Sequence, residues 1–226
     1  MRAKYQGNQI RGILHPELSE PAQIFFDYES SFLVDAQGRS WTKNGGGSYV
    51  LSSAQVKSGT QSVQSTASSI GSLQYEGPEL VTGRSNFTYD FWFYSTNSSQ
   101  SANEFIEYRR NSTDSGGILL LTRNNDLSLW NYSDSYVWSY SNFFTVNEWV
   151  RATVVRDNGV IRVYRNGVLV GTINYARDFT SNRLCLLGRY VNISSNWYTP
   201  IGFTDNMRIY PRSCRYFEDF DPNYDI

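Results

Sequence analysis

Apolar residues recur at every second position in this sequence, and turn motifs cut that alternation into lengths of a single strand. In Phe87-Thr88-Tyr89-Asp90-Phe91-Trp92-Phe93-Tyr94 the odd positions are all aromatic, which lays one continuous apolar ridge on one face of a strand. Asp90, Trp92 and Tyr94 then share the opposite face. Further on, Asp157-Asn158-Gly159 separates Trp149–Arg156 from Val160–Tyr164, and Asn166-Gly167 joins that run to Val168–Gly171. Asn and Gly accept the positive φ that tight hairpins need, so the three runs read as an antiparallel meander. Met207-Arg208-Ile209-Tyr210 reads as a closing strand. Helical periodicity is absent beyond a short turn, and the chain is expected to be all-β, a sandwich or a barrel.

Scarce residues remove whole classes of function. The 226 residues carry 20 Lys+Arg against 21 Asp+Glu, a balance that lacks the basic footprint of nucleic-acid binding. One histidine, His15, and two cysteines, Cys185 and Cys214, cannot build a structural zinc site of four nitrogen or sulfur ligands. A Ser-His-Asp or Cys-His mechanism would have to use His15, which precedes Pro16 in an irregular leader, a poor place to hold a base against a nucleophile. Asn44-Gly45-Gly46-Gly47 lacks the spacing of a phosphate loop. The N-terminus, Met1-Arg2-Ala3-Lys4, is followed by no apolar stretch of the secretory kind. No apolar run reaches the roughly 18 residues of a membrane helix, so membrane insertion is not expected. Both cysteines are expected as buried thiols. The sequons at Asn86, Asn97, Asn111, Asn131 and Asn192 are what chance supplies in a chain rich in Asn, Ser and Thr.

Residues 1–23, broken by Gly7, Gly12, Pro16 and Pro21, read as an arm. A body follows over 24–211, then an irregular tail over 212–226 with Asp219, Asp221 and Asp225 among aromatics. In the body, Phe25-Phe26-Asp27 precedes Asp35-Ala36-Gln37-Gly38 and then Gly59-Thr60-Gln61-Ser62-Val63. The aromatic strand comes next, followed by Asn147-Glu148-Trp149, Val154-Val155-Arg156 and Val163-Tyr164-Arg165-Asn166-Gly167, then Leu187-Gly188 and Asp205-Asn206-Met207-Arg208-Ile209-Tyr210. This order resembles the laminin G-like branch of the concanavalin A-like lectin/glucanase superfamily, which implies a two-sheet antiparallel jelly roll. The resemblance also implies loop-held calcium, for which Asp27, Asp35 and Asp205 are the candidate carriers; the usual paired acids of the closing strand are reduced here to Asp205 alone. Arg215-Tyr216-Phe217-Glu218-Asp219-Phe220-Asp221-Pro222 is similar to the ending of such domains in tailed-phage structural proteins. That likeness implies a virion protein, with other virion proteins and further copies of the chain as partners holding the two terminal segments.

Retaining glycoside hydrolysis needs two carboxyls about 5 Å apart on one face. Glu104 and Glu107, three apart, would point to opposite faces of a regular strand, Glu76 and Glu79 flank the turn at Gly77-Pro78, and the face of Asp90 offers one acid beside Trp92 and Tyr94. Hydrolysis is therefore the reading the residues support least. Aromatics are plentiful, and they stack on sugar rings as readily as they anchor protein interfaces. Trp130, Tyr132, Tyr136, Trp138 and Tyr140 crowd one polar stretch, and Trp197-Tyr198 another; with Asp90, Trp92 and Tyr94 they are the candidates for glycan or interface contact. The expected role is a non-enzymatic virion subunit, capsid decoration or tail-associated. The alternative is a glycan- or receptor-binding adhesin that touches a host-surface glycan.

Overall fold

The computed structural model of the protein describes residues 24–66, 71–99, 103–109, 117–131, 135–189 and 198–223. In chain order its strands begin with β1 (Ile24–Phe26), β2 (Thr42–Gly45), β3 (Tyr49–Ser52), β4 (Ser62–Ser65), β5 (Gly71–Glu76), β6 (Phe87–Ser95), β7 (Asn103–Tyr108) and β8 (Ile118–Arg123). They continue with β9 (Asp126–Asn131), β10 (Ser135–Tyr140), β11 (Trp149–Asp157), β12 (Val160–Arg165), β13 (Val168–Asn174), β14 (Arg183–Leu186) and β15 (Gly202–Tyr210). A 3-10 turn at Pro78–Leu80 is the only helical element among the described residues. The all-β expectation holds. The strands form two antiparallel sheets: one of eight, in the order β13-β12-β11-β6-β15-β4-β3 with β1 also on β15, and one of seven, in the order β10-β9-β8-β7-β14-β5-β2.

Turn chemistry sets the register. Asn158 and Gly159 take φ of 49° and 80°, and Asn166 and Gly167 take 48° and 78°, the left-handed pairs that let β11, β12 and β13 reverse tightly. The same device, Asn124 and Asn125 at 51° and 64°, joins β8 to β9. Between the sheets, the odd residues of β6 meet the other layer: Phe91 and Phe93 lie 4.8 and 4.7 Å from the Phe105 ring, and Phe87 lies 5.4 Å from Phe179. These rings are fully or almost fully buried, and truncating any one to Ala should cost about 3–5 kcal/mol. Cys185 and Cys214 are both buried, and no disulfide joins them.

Residues 212–223 form no strand but are well anchored. Thr88 donates its hydroxyl to the Ser213 carbonyl at 3.0 Å and accepts from the Arg215 N–H at 3.0 Å. Tyr216 and Phe220 stack with ring centroids 3.9 Å apart, and Phe220 lies 5.4 Å from Tyr164. With Val155 and Cys214 they make a small second core on the outer side of the eight-stranded sheet. The sequence reading looked to a neighbouring subunit to hold this tail; the structure gives it a seat on the chain's own sheet, because that face is itself aromatic. The arm expected over residues 1–23 lies outside the described residues.

Candidate functional site

The two outer faces differ sharply. On the eight-stranded sheet, Arg151 on β11 donates to both oxygens of Asp90 on β6, Nε to Oδ1 at 2.8 Å and Nη2 to Oδ2 at 2.5 Å. Thr153 adds its hydroxyl to Oδ1 at 2.7 Å. The tail closes over this pair: the Arg151 guanidinium also donates to the Tyr216 hydroxyl at 2.8 Å and the Pro222 carbonyl at 2.6 Å, and lies 5.2 Å from the Phe220 ring. Trp92, 4% exposed, has the Lys57 ammonium 4.0 Å above its ring. Tyr94 packs edge-on against Trp149 and Phe203. Asp90, Trp92 and Tyr94 do share a face, but Asp90 is engaged with Arg151 beneath the tail, Trp92 is covered by Lys57, and Tyr94 is half-buried between Trp149 and Phe203.

On the seven-stranded sheet one row of side chains runs across all its strands. Tyr136 pairs with Trp130, Trp130 with Leu119, Leu119 with Glu107, Glu107 with Cys185, Cys185 with Gln74, and Gln74 with Thr42. Paired residues share a face, so the row marks the outer surface of this sheet. It joins three local settings: an aromatic edge, a buried charged centre and a polar pocket.

At the aromatic edge the structure divides the cluster read from the sequence. Tyr136, 53% exposed, stands beside half-buried Trp130, which has the Arg109 guanidinium 5.8 Å from its ring. Trp138 and Tyr140 point the other way, toward the lip between the sheets. They stack on each other with centroids 6.1 Å apart, and Trp138 lies so close to Gly171 on β13 that a Cβ there would meet its indole at 2.6 Å. Trp138 also packs on the main core. Tyr198, half-buried, sits beside β7, where its carbonyl accepts the Glu104 N–H at 3.0 Å. Tyr132 and Trp197 lie outside the described residues.

The centre departs from the sequence reading. A register shift between Glu104 and Ile106 breaks the alternation of β7, so Glu104 pairs with Leu121 and Glu107 with Leu119. Leu119 and Leu121 are two apart on one strand, hence both acids project from the same face rather than opposite ones. Both are fully buried. Glu107 forms an ion pair with Arg109, Nε donating at 2.8 Å, while the Arg189 guanidinium stands 4.0 Å from Glu104. Burial first, and then the Glu107 charge, push the Glu104 carboxyl well above the usual carboxylate range. The alternating pattern gave no sign of the bulge, though two acids in an otherwise apolar strand were a signal that something local satisfies them. Beside Glu107, burial pushes the Cys185 thiol up as well, which keeps it out of the reactive thiolate form.

The candidate calcium carriers are occupied by N–H groups. Asp35 accepts from the backbone of Gln37 and Arg39, from the Arg39 guanidinium at 2.7 Å and from the Trp41 indole at 3.3 Å. Asp205 accepts from the backbone N–H of Lys57, Ser58 and Asn206 at 2.9, 3.1 and 2.8 Å. Asp27 is exposed and caps the Glu29 N–H. This donor set suits turn anchors and does not fit a cage of six to eight calcium-facing oxygens. Among the described residues no three His, Cys, Asp or Glu side chains gather as a metal site, and no helix is long and apolar enough to cross a membrane.

The family model for laminin G-type domains of the concanavalin A-like lectin/glucanases superfamily matches residues 44–215 of the 226. The chain belongs to this superfamily. No curated protein sequence matches it. Among solved structures, this superfamily member is similar to domain 4 of AbnA, a GH43 extracellular arabinanase from Geobacillus stearothermophilus, in complex with arabinotriose. The TM-score is 0.64 at 18% identity, over 85% of this chain and 93% of that one. It is similar also to the binding domain of botulinum neurotoxin serotype G (TM-score 0.60, 19% identity, 85% and 48% covered). A botulinum neurotoxin type C structure, described as dependent on two ganglioside molecules for cell entry, matches with TM-score 0.59 at 16% identity, 89% and 49% covered. The superfamily chain spans about half of the toxin chains, and at these identities the likeness is one of fold.

Proposed function

We propose that this protein is a non-enzymatic carbohydrate-binding module whose ligand contacts the outer face of the seven-stranded sheet. One observation carries the reading: the chain's own tail packs over Asp90, Arg151 and Tyr164 on the outer face of the eight-stranded sheet, whereas Tyr136 is more than half exposed beside Trp130 on the other. A Tyr–Trp pair with a guanidinium alongside offers an apolar stacking surface and polar reach for hydroxyls. The relatives described with arabinotriose and gangliosides support a carbohydrate ligand. The burial and ion pairing of Glu107 and Glu104 support the absence of hydrolysis, since a retaining pair must reach its substrate. A glycan array with the wild type and Tyr136→Ala tests this. Binding by the first and not the second is expected; silence of the wild type, or reducing sugar released from an array hit, overturns it.

We further propose the surface of a tailed-phage particle as its setting, with other virion proteins and further copies of itself as partners. The support is the similarity of Arg215–Pro222 to endings of phage structural domains. Mass spectrometry of purified virions is expected to find the chain without glycans on its sequons. Recovery of the native protein as a secreted glycoprotein overturns this setting.

A further inference from the structure

At the β2–β5 end of the same face lies a pocket of about 360 Å³, lined by Ser40, Thr42, Asn44, Gln74, Tyr75 and Glu76. Alternation puts Thr42 and Asn44 on one face of β2 and Gln74 and Glu76 on the same face of β5, with Thr42 opposite Gln74 and Asn44 opposite Ser72. A relay crosses the three neighbouring strands: Asn44 donates its amide to Gln74 Oε1, Gln74 donates Nε2 to Glu76 Oε1 at 3.0 Å, and Arg183 on β14 donates Nε to that same oxygen at 2.6 Å. The relay fixes each polar group from one side. The relay does not use the Asn44 carbonyl, the second Glu76 oxygen or the Ser40 and Thr42 hydroxyls, and all four residues line the pocket. Tyr75 is a fixed wall, its hydroxyl donating to Glu79 at 2.7 Å and its ring between Trp41, 5.3 Å away, and the Arg39 guanidinium, 5.6 Å away.

Acceptors in a row with adjacent hydroxyls suit a ligand that presents neighbouring O–H donors, and preorganisation lowers the cost of binding it. The charge decides between sugar classes. The one cation joined to the relay, Arg183, is paired with Glu76, and the oxygen Glu76 has left would repel a sugar carboxylate. We infer that this pocket is a saccharide subsite for neutral sugars, taking separate sugar hydroxyls on Asn44 and on Glu76 and discriminating against sialylated or uronic residues. This rests on the carbohydrate-binding reading above and adds to it a second contact and a ligand class.

The test is titration of the full chain with arabinotriose, maltotriose and sialyllactose, followed by calorimetry and by NMR of the Asn and Gln side-chain amides. One of the neutral trisaccharides is expected to bind and shift the Asn44 and Gln74 amides, with sialyllactose about tenfold weaker. Asn44→Ala/Gln74→Ala, with an unchanged melting temperature, should lower the neutral affinity about tenfold, the scale of one or two lost hydrogen bonds. Glu76→Gln should narrow the preference against sialyllactose. Equal binding of sialyllactose, or a double variant that binds as the wild type does, overturns the subsite. If Tyr136→Ala abolishes binding while Asn44→Ala/Gln74→Ala leaves it unchanged, the subsite falls and the aromatic reading stands; if the wild type binds none of the sugars, both fall.

Discussion

Arg151 grips Asp90 at both carboxylate oxygens, 2.8 and 2.5 Å away, beneath the ring of Phe220. Two charges out of water are tolerable only as a pair, and removing one leaves the other buried, at a cost of about 3–5 kcal/mol. Asp90→Ala is therefore expected to destabilise the protein by that amount in urea denaturation. It should also quicken protease cleavage within residues 212–223, because Arg151 bonds to Tyr216 and Pro222 as well.

The tail can be loosened without touching that pair. A Cβ on Gly167 would fall 1.9 Å from the Phe220 carbonyl oxygen, and the residue holds φ of +78°, a conformation costly for any side chain. Gly167→Ala should lose the hydrogen bond from the Phe220 N–H, lower the melting temperature and release the tail to proteolysis. Glycan binding should survive, since the proposed ligand face lies on the other sheet.

Acidity should stabilise the molecule over part of the range. Burial lifts the Asp205 carboxyl from 3.8 to about 6, against the pull of three backbone N–H groups, and Glu104 is raised too. A carboxyl whose pKa is higher folded than unfolded favours the fold fully below its unfolded value, and that contribution is lost as pH rises through about 6. For Asp205 the span corresponds to about 3 kcal/mol. Glu29, lowered chiefly by the Thr60 hydroxyl, acts in the opposite sense as pH falls. Unfolding free energy measured from pH 4 to 7 should decline, and Asp205→Asn should flatten that decline; an unaltered slope would refute the assignment.

The aromatic edge predicts a split between binding and stability. Trp138→Ala opens space over Gly171 and in the core and should cost about 3–5 kcal/mol. Tyr136→Ala removes a side chain that is 53% exposed and should leave the melting temperature within a degree or two, while sugar binding is lost. Paired thermal melts and binding curves for the two variants check this.

The strands and hairpins were legible because their signals are local. Asn158-Gly159 and Asn166-Gly167 name their turn type, and the odd aromatics of β6 name its buried side. Three features escaped. The bulge that turns Glu104 and Glu107 to one face depends on how β7 meets β8, which no alternation within β7 encodes. The seat of the tail depends on Tyr164 and Val155 meeting Tyr216 and Phe220 from far along the chain. The cluster from Trp130 to Tyr140 looked like one surface because its members are close in sequence, but the register shift between Tyr136 and Trp138 sends its two halves in different directions.

The place of β15 sets an order of events during synthesis. Residues 202–210 lie in the interior of the eight-stranded sheet, against β6 on one side and β4 and β1 on the other. Until the ribosome has released them, that layer is three pieces, β13-β12-β11-β6, β4-β3 and β1, with unpaired edges, a slow and aggregation-exposed topology. Nascent chains stalled before residue 202 should thus remain clients of chaperones, and completion of the layer should follow emergence of that strand.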